Sequence, residues 1–275
     1  MKKTCYIFLF LVLSVGFSPA QSAGTENVKA ELISEVKSIQ AGKKFWVAVK
    51  FEMADQWHIY WRNPGDAGLA TGIDWSLPED FSVTGIYWPY PEIFESGGVA
   101  SYGYKYKILL LCAVTPPAGF RGDKVSINAD VTWLECREIC LPGRAELSLT
   151  LSVNGETETD ERWTDSFEDA RAMLPVRNKS WDFSSTRTDS SIIIHADVMD
   201  EKQLSREKVK FLPYDEGIYS NSKPQKFERT DKGFVIEVMF ADFKLKDPEE
   251  VRGIIKIEEP DKNTVHAIEI MVPVS

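Results

Sequence analysis

An all-β chain of two sandwiches joined by one helix is predicted by three features of the sequence. Apolar residues alternate with period two in many short runs. Strong turn signals punctuate those runs. A single acidic stretch near the middle switches to helical spacing. Successive strand side chains face opposite ways, so a period-two run reads as a half-buried strand. Many such strands separated by turns suggest sandwiches or barrels.

In the first half, "FWVAVKF" places Phe45, Val47, Val49 and Phe51 on one face. "KVSINADVTW" does so with Val125, Ile127, Ala129, Val131 and Trp133, and "ELSLTLSV" with Leu147, Leu149, Leu151 and Val153. The punctuation is "NPGDAG", "SGG", "TPPAG" and "LPG". Asn63, Pro64, Gly65 and Asp66 read as a turn. Trp57, Trp61, Trp75 and Trp88 read as packing residues, because aromatics dominate core burial. His58 reads as a structural, hydrogen-bonded residue.

Between Asn154 and Pro175 the chain turns acidic, and Trp163, Phe167, Ala170 and Leu174 recur at steps of four, three and four. That spacing predicts a linker helix over 155–175 whose stripe packs on a neighbouring domain, with Pro175 as its stop. Strand-like runs then resume, with Phe234, Ile236, Val238 and Phe240 alternating cleanly, and predict a second β-sandwich over 176–275.

The leader "MKKTCYIFLFLVLSVGFSPAQSAG" has a basic start, a short apolar run and small residues at Ala20 and Ala23. This is the layout of a cleavable export signal over 1–23. The apolar run is shorter than the roughly 20 residues a membrane span needs. Cys5 would leave with the leader. Losing two lysines and no acid moves the formal charge from −10 further negative, which makes the chain a poor candidate for binding nucleic acid or anionic membrane. Export matters because disulfides persist outside the cytosol.

The four cysteines are Cys5, Cys112, Cys136 and Cys140. The pair in "WLECREICLPG" admits three readings: a structural staple, part of a metal site, or a redox pair. Four extended steps separate Cα atoms by roughly 13 Å, whereas a disulfide needs them within about 7 Å. Closure therefore requires a turn between the cysteines, and the pair lies where one predicted strand gives way to the next. As a staple it closes a loop worth only about 2 kcal/mol. As a metal site it lacks a second close-spaced pair, since only Cys112, His58, His195 and His266 remain. No cofactor or metal is expected. Redox exchange explains the spacing best, because two thiols in a short loop can form a disulfide and release it to an attacking thiolate. Glu135 and Glu138 disfavour a thiolate there and Arg137 favours one. Cys112, inside "ILLLCAV", reads as a small core residue, with a resolving or intermolecular thiol as the sharper alternative.

"DVTWLECREICLPGRAELSLTL", with "WHIYWRNPGDAGLATGIDWSLPEDF", "WPYPEIF" and "SYGYKYKILL", resembles the amino-terminal periplasmic domain of the thiol:disulfide interchange protein DsbD. Within that family it looks closer to the DsbD-like, ScsB-type branch associated with copper tolerance. The resemblance covers Ala30 to about Val153 and weakens beyond. It implies an immunoglobulin-like domain over 24–154, with Cys136 and Cys140 as the redox pair. It implies a cap in "ASYGYKY", with Tyr102 and Tyr104 shielding the sulfurs. The implied setting is the periplasm, with electrons passing from a membrane-embedded thiol reductant to thioredoxin-fold proteins. The sequence holds no eight-helix membrane segment and no "CGPC"-type domain, so the reductant is expected from a separate protein. The alternative is a non-catalytic exported binding module with a structural disulfide.

Overall fold

The computed structural model describes residues 22–198, 208–259 and 264–275, so the expected leader falls almost wholly outside the described residues. The fold is all-β with one short helix. In the first half a five-stranded sheet runs in the order Ser22–Gly24, Val28–Ser34, Phe45–Met53, Lys107–Thr115, Ser82–Val83. Facing it is a sheet ordered Glu158–Thr159, Val36–Ile39, Cys140–Val153, Lys124–Cys136, His58–Gly65, Val99–Lys105, Glu92–Ser96, with Gly72–Ser76 also paired to Lys124–Cys136. The alternation predicted from sequence fills the space between them. Phe45, Val47, Val49 and Phe51 from one sheet meet Val125, Ile127, Ala129, Val131 and Trp133 from the other in a single core.

The run "ILLLCAV" is apolar throughout because its strand is covered on both faces. Ile108, Leu110, Cys112 and Val114 enter the sandwich core. Leu109 and Leu111 face the other way, beneath the helix, together with Ile33 and Ala48. The helix is Thr164–Ala172, and its stripe of Trp163, Phe167, Ala170 and Leu174 packs there. It is shorter than the acidic stretch suggested. Glu158–Thr159 pairs instead with Val36–Ile39 as an edge strand, and Asp160 is held by the backbone and guanidinium of Arg162 just before the helix.

In the second half a four-stranded sheet, Trp181–Arg187, Ser191–Val198, Gly233–Met239, Lys226–Thr230, packs on a three-stranded sheet, Lys208–Pro213, Glu250–Glu259, Thr264–Pro273. Phe234, Ile236, Val238 and Phe240 lie in their shared core. The two halves touch closely. Leu212, Ile254 and Ala267 join the first core. The Trp61 and Tyr214 rings lie 5.7 Å apart, and the Arg62 guanidinium sits 4.1 Å from the Tyr214 ring. Asn63, expected in a turn, lies within the strand His58–Gly65 instead. It is buried, and its amide donates to the Pro213 carbonyl at 2.9 Å. The turn follows at Gly65, whose φ of +90° brings its backbone against the Ala100 carbonyl, where a side chain would collide.

Candidate functional site

The strand Lys124–Cys136 ends on the first cysteine of the pair and Cys140–Val153 begins on the second, with Cys136 and Cys140 as register partners. Three residues, Arg137 to Ile139, make the hairpin tip, and the Arg137 N–H donates to the Ile139 carbonyl at 3.3 Å. The backbone thus turns between the cysteines. Their Cα atoms stand 4.2 Å apart, and the sulfurs are joined in a disulfide. The two ends of that bond differ: Cys136 is 8% exposed, whereas Cys140 is open to solvent. Ile139 and Leu141 flank Cys140 and are exposed as well.

Strand alternation sends Trp133 and Glu135 into the molecule and Cys136 to the outer face of the sheet. Across that face Cys136 pairs with His58, and His58 with Lys105. Tyr60, two residues along the same strand, is buried, and its hydroxyl lies 3.5 Å from the Cys140 sulfur. A disulfide sulfur carries no proton, so the phenol donates. Burial raises the Tyr60 pKa, which keeps that donor protonated. The His58 ring is 5.2 Å from Tyr60 and 4.6 Å from Phe94, and the Lys105 ammonium sits 4.5 Å from the Phe94 ring. Burial first, then the Lys105 charge, lowers the His58 pKa, so its imidazole favours the neutral form. Two glycines make room for this layer. Gly68, at φ +123°, lies so close to the Tyr60 ring that a Cβ would strike it. Gly103 admits the Ile59 carbonyl where a Cβ would sit at 2.1 Å.

Beneath the pair, Glu135 is fully buried. It accepts from the Thr25 hydroxyl, 2.7 Å at the nearer oxygen, from the Asn27 amide at 2.9 Å and from the Trp133 indole at 3.0 Å. At the tip, the Arg137 guanidinium lies 5.7 Å from the Trp57 ring.

The structure places Tyr102 and Tyr104 inside the sandwich core, 2% and 3% exposed. Tyr102 meets Trp61 with ring centroids 6.2 Å apart, and the Tyr104 hydroxyl donates to the Pro89 carbonyl at 2.7 Å. The aromatic ring at the sulfurs is therefore Tyr60. Sequence reasoning passed over it, although period two puts His58 and Tyr60 on one face and Ile59 and Trp61 on the other. Cys112 is fully buried, and burial pushes its thiol up to about 12. Folded protein at pH 8 should therefore leave Cys112 unmodified by iodoacetamide. Mass spectrometry should find that cysteine alkylated only after denaturant is added, and rapid labelling without it would place the thiol elsewhere.

An accessible disulfide at a hairpin tip is one that an attacking thiolate can reach and open. Residues 27–152 match the family described as thiol:disulfide interchange protein DsbD, N-terminal. The crystal structure of the N-terminal periplasmic domain of ScsB from Proteus mirabilis is similar in fold, with a TM-score of 0.64 at 15% identity over 90% of this chain and 94% of that one. The sporulation control protein Spo0M from Bacillus subtilis reaches a TM-score of only 0.24 at 10% identity, over 90% of this chain and 91% of its own. No curated protein matches the chain.

Proposed function

We propose that this protein is a periplasmic thiol–disulfide interchange protein, passing electrons between a membrane-embedded thiol reductant and thioredoxin-fold partners. The observation that carries the reading is the asymmetry of the bond: Cys140 is exposed at the hairpin while Cys136 is nearly covered. A partner thiolate attacks the Cys140 sulfur. A new S–S bond forms to the partner, the Cys140–Cys136 bond breaks, and Cys136 leaves with the electron pair as a thiolate. A second partner thiol then attacks the mixed disulfide, releasing the partner oxidised and this protein as a dithiol. The reverse sequence delivers both electrons to the next disulfide. On this reading the interchange domain is an immunoglobulin-like sandwich over 24–154, 155–175 is the linker and 176–275 the second sandwich.

Tyr60 takes the shielding position that the family resemblance assigned to Tyr102 and Tyr104, since its ring lies over Gly68 and its hydroxyl against Cys140. Tyr60→Ala should speed reduction of the disulfide by dithiothreitol about tenfold by uncovering the sulfur. Tyr102→Ala is the contrasting variant, because its ring is in the core. An unchanged rate in Tyr60→Ala removes the shield. The function itself is tested by equilibrating the pair with glutathione. A reduction potential in the range of exchange proteins supports a relay, and one below about −300 mV supports a structural staple instead.

A further inference from the structure

The interchange reading uses the two sulfurs and Tyr60 but leaves unexplained the most deeply buried acid beside them. Glu135 immediately precedes Cys136 and is wholly inaccessible. Burying a carboxylate is costly unless donors surround it. Here three neutral donors do so: the Thr25 hydroxyl, the Asn27 side-chain amide and the Trp133 indole. Thr25 is itself fixed, because its hydroxyl oxygen accepts the Asn27 and Val28 N–H groups at 3.1 and 3.0 Å. The amino-terminal turn, the strand base and the acid thus form one closed network. Its far side is the backbone of Glu135 and Cys136, paired to Leu141 and Cys140 on one flank and to Ile59 and His58 on the other.

We propose that Glu135 is a positioning residue for disulfide exchange: its buried carboxylate locks the Cys136 end of the hairpin to the sheet, so that an incoming thiolate meets Cys140. The inference rests on the interchange reading and adds to it the origin of the choice between the sulfurs. A negative charge next to Cys136 works against a thiolate there. What the residue offers the reaction is therefore placement and not charge stabilisation. An apolar residue would fill the same space without the network, but it would leave the hydroxyl, amide and indole donors unpaired.

Trypsin cuts after Arg137, which puts Cys136 and Cys140 on different peptides and makes the choice measurable. Oxidised full-length protein is mixed with excess glutathione, quenched with acid early in the reaction, digested, and the glutathione adduct on each cysteine quantified. In the unsubstituted protein the adduct should favour Cys140 by about tenfold, following access. In Glu135→Gln and in Thr25→Ala the preference should fall at least about threefold, whereas Thr25→Ser, which keeps the hydroxyl, should retain it. Thermal unfolding of each variant is followed in parallel, and adducts are measured well below each midpoint. A purely structural role would lower the midpoint and leave the ratio alone. An unchanged ratio in folded Glu135→Gln and Thr25→Ala overturns the assignment of Glu135 while leaving the interchange reading standing. Absence of any adduct on the unsubstituted protein overturns the interchange reading, and this inference with it.

Discussion

Cys140→Ser should lower thiol exchange with a partner by at least about a thousandfold, the largest effect expected of any single change, because the covalent step is lost. The reason is specific to this hairpin. With Cys140 gone, the thiol left of the pair is Cys136, which is 8% exposed and faces the Tyr60–His58 layer. Cys136→Ser should behave differently. It leaves an exposed thiol at Cys140, flanked by the exposed Ile139 and Leu141. That thiol can enter a mixed disulfide, but no neighbouring sulfur remains to release it. The variant should therefore accumulate a covalent complex, visible as a shifted band on non-reducing gels of cell extracts and absent after reduction. Neither change should unfold the protein, since closing so short a loop contributes only about 2 kcal/mol. Equal trapping by the two variants would remove the asymmetry on which the mechanism depends.

The second large effect is on stability. Trp61→Ala should cost about 3–5 kcal/mol, read as a lower urea midpoint. Trp61 is fully buried and stands where the two halves of the protein meet, with Tyr102 on one side and Tyr214 on the other. Truncation leaves a cavity bordered by strand backbones that cannot collapse into it. Trp61→Phe should cost no more than about 1.5 kcal/mol, because the Trp61 indole N–H has no partner among the described residues and its removal offsets part of the lost packing. The strand that carries Trp61 also carries Tyr60 and His58. Trp61→Ala should therefore also hasten reduction of the disulfide. A loss below about 1 kcal/mol would mean that the interface between the halves is not a principal support of the fold.

Much of this was legible in the residues. Phe45, Val47, Val49 and Phe51 declare a strand face by period alone, and the structure buries all four in one core. Trp163, Phe167, Ala170 and Leu174 declare a helical stripe, and they pack as one. The helix start was less visible, because Glu158–Thr159 is drawn into the edge of a sheet by Val36–Ile39, a partner more than a hundred positions earlier in the chain. Asn63 was misplaced for a similar reason. "NPGD" has the composition of a turn, but the carbonyls of Pro213 and Asp215 wait at bonding distance in the other half of the protein.

By itself the sequence determined the strand alternation, the single helical stripe and the close cysteine pair, since each of these depends on spacing between near neighbours. Only the tertiary structure decided which ring lies against the sulfurs and what holds Glu135. Period two separates the faces of a strand but does not say which face is innermost when both are covered, so Tyr60 and Tyr102 look alike until the sheets are assembled. The Glu135 carboxylate draws donors from Thr25, 110 residues away, and a contact across that separation exists only once the chain has folded.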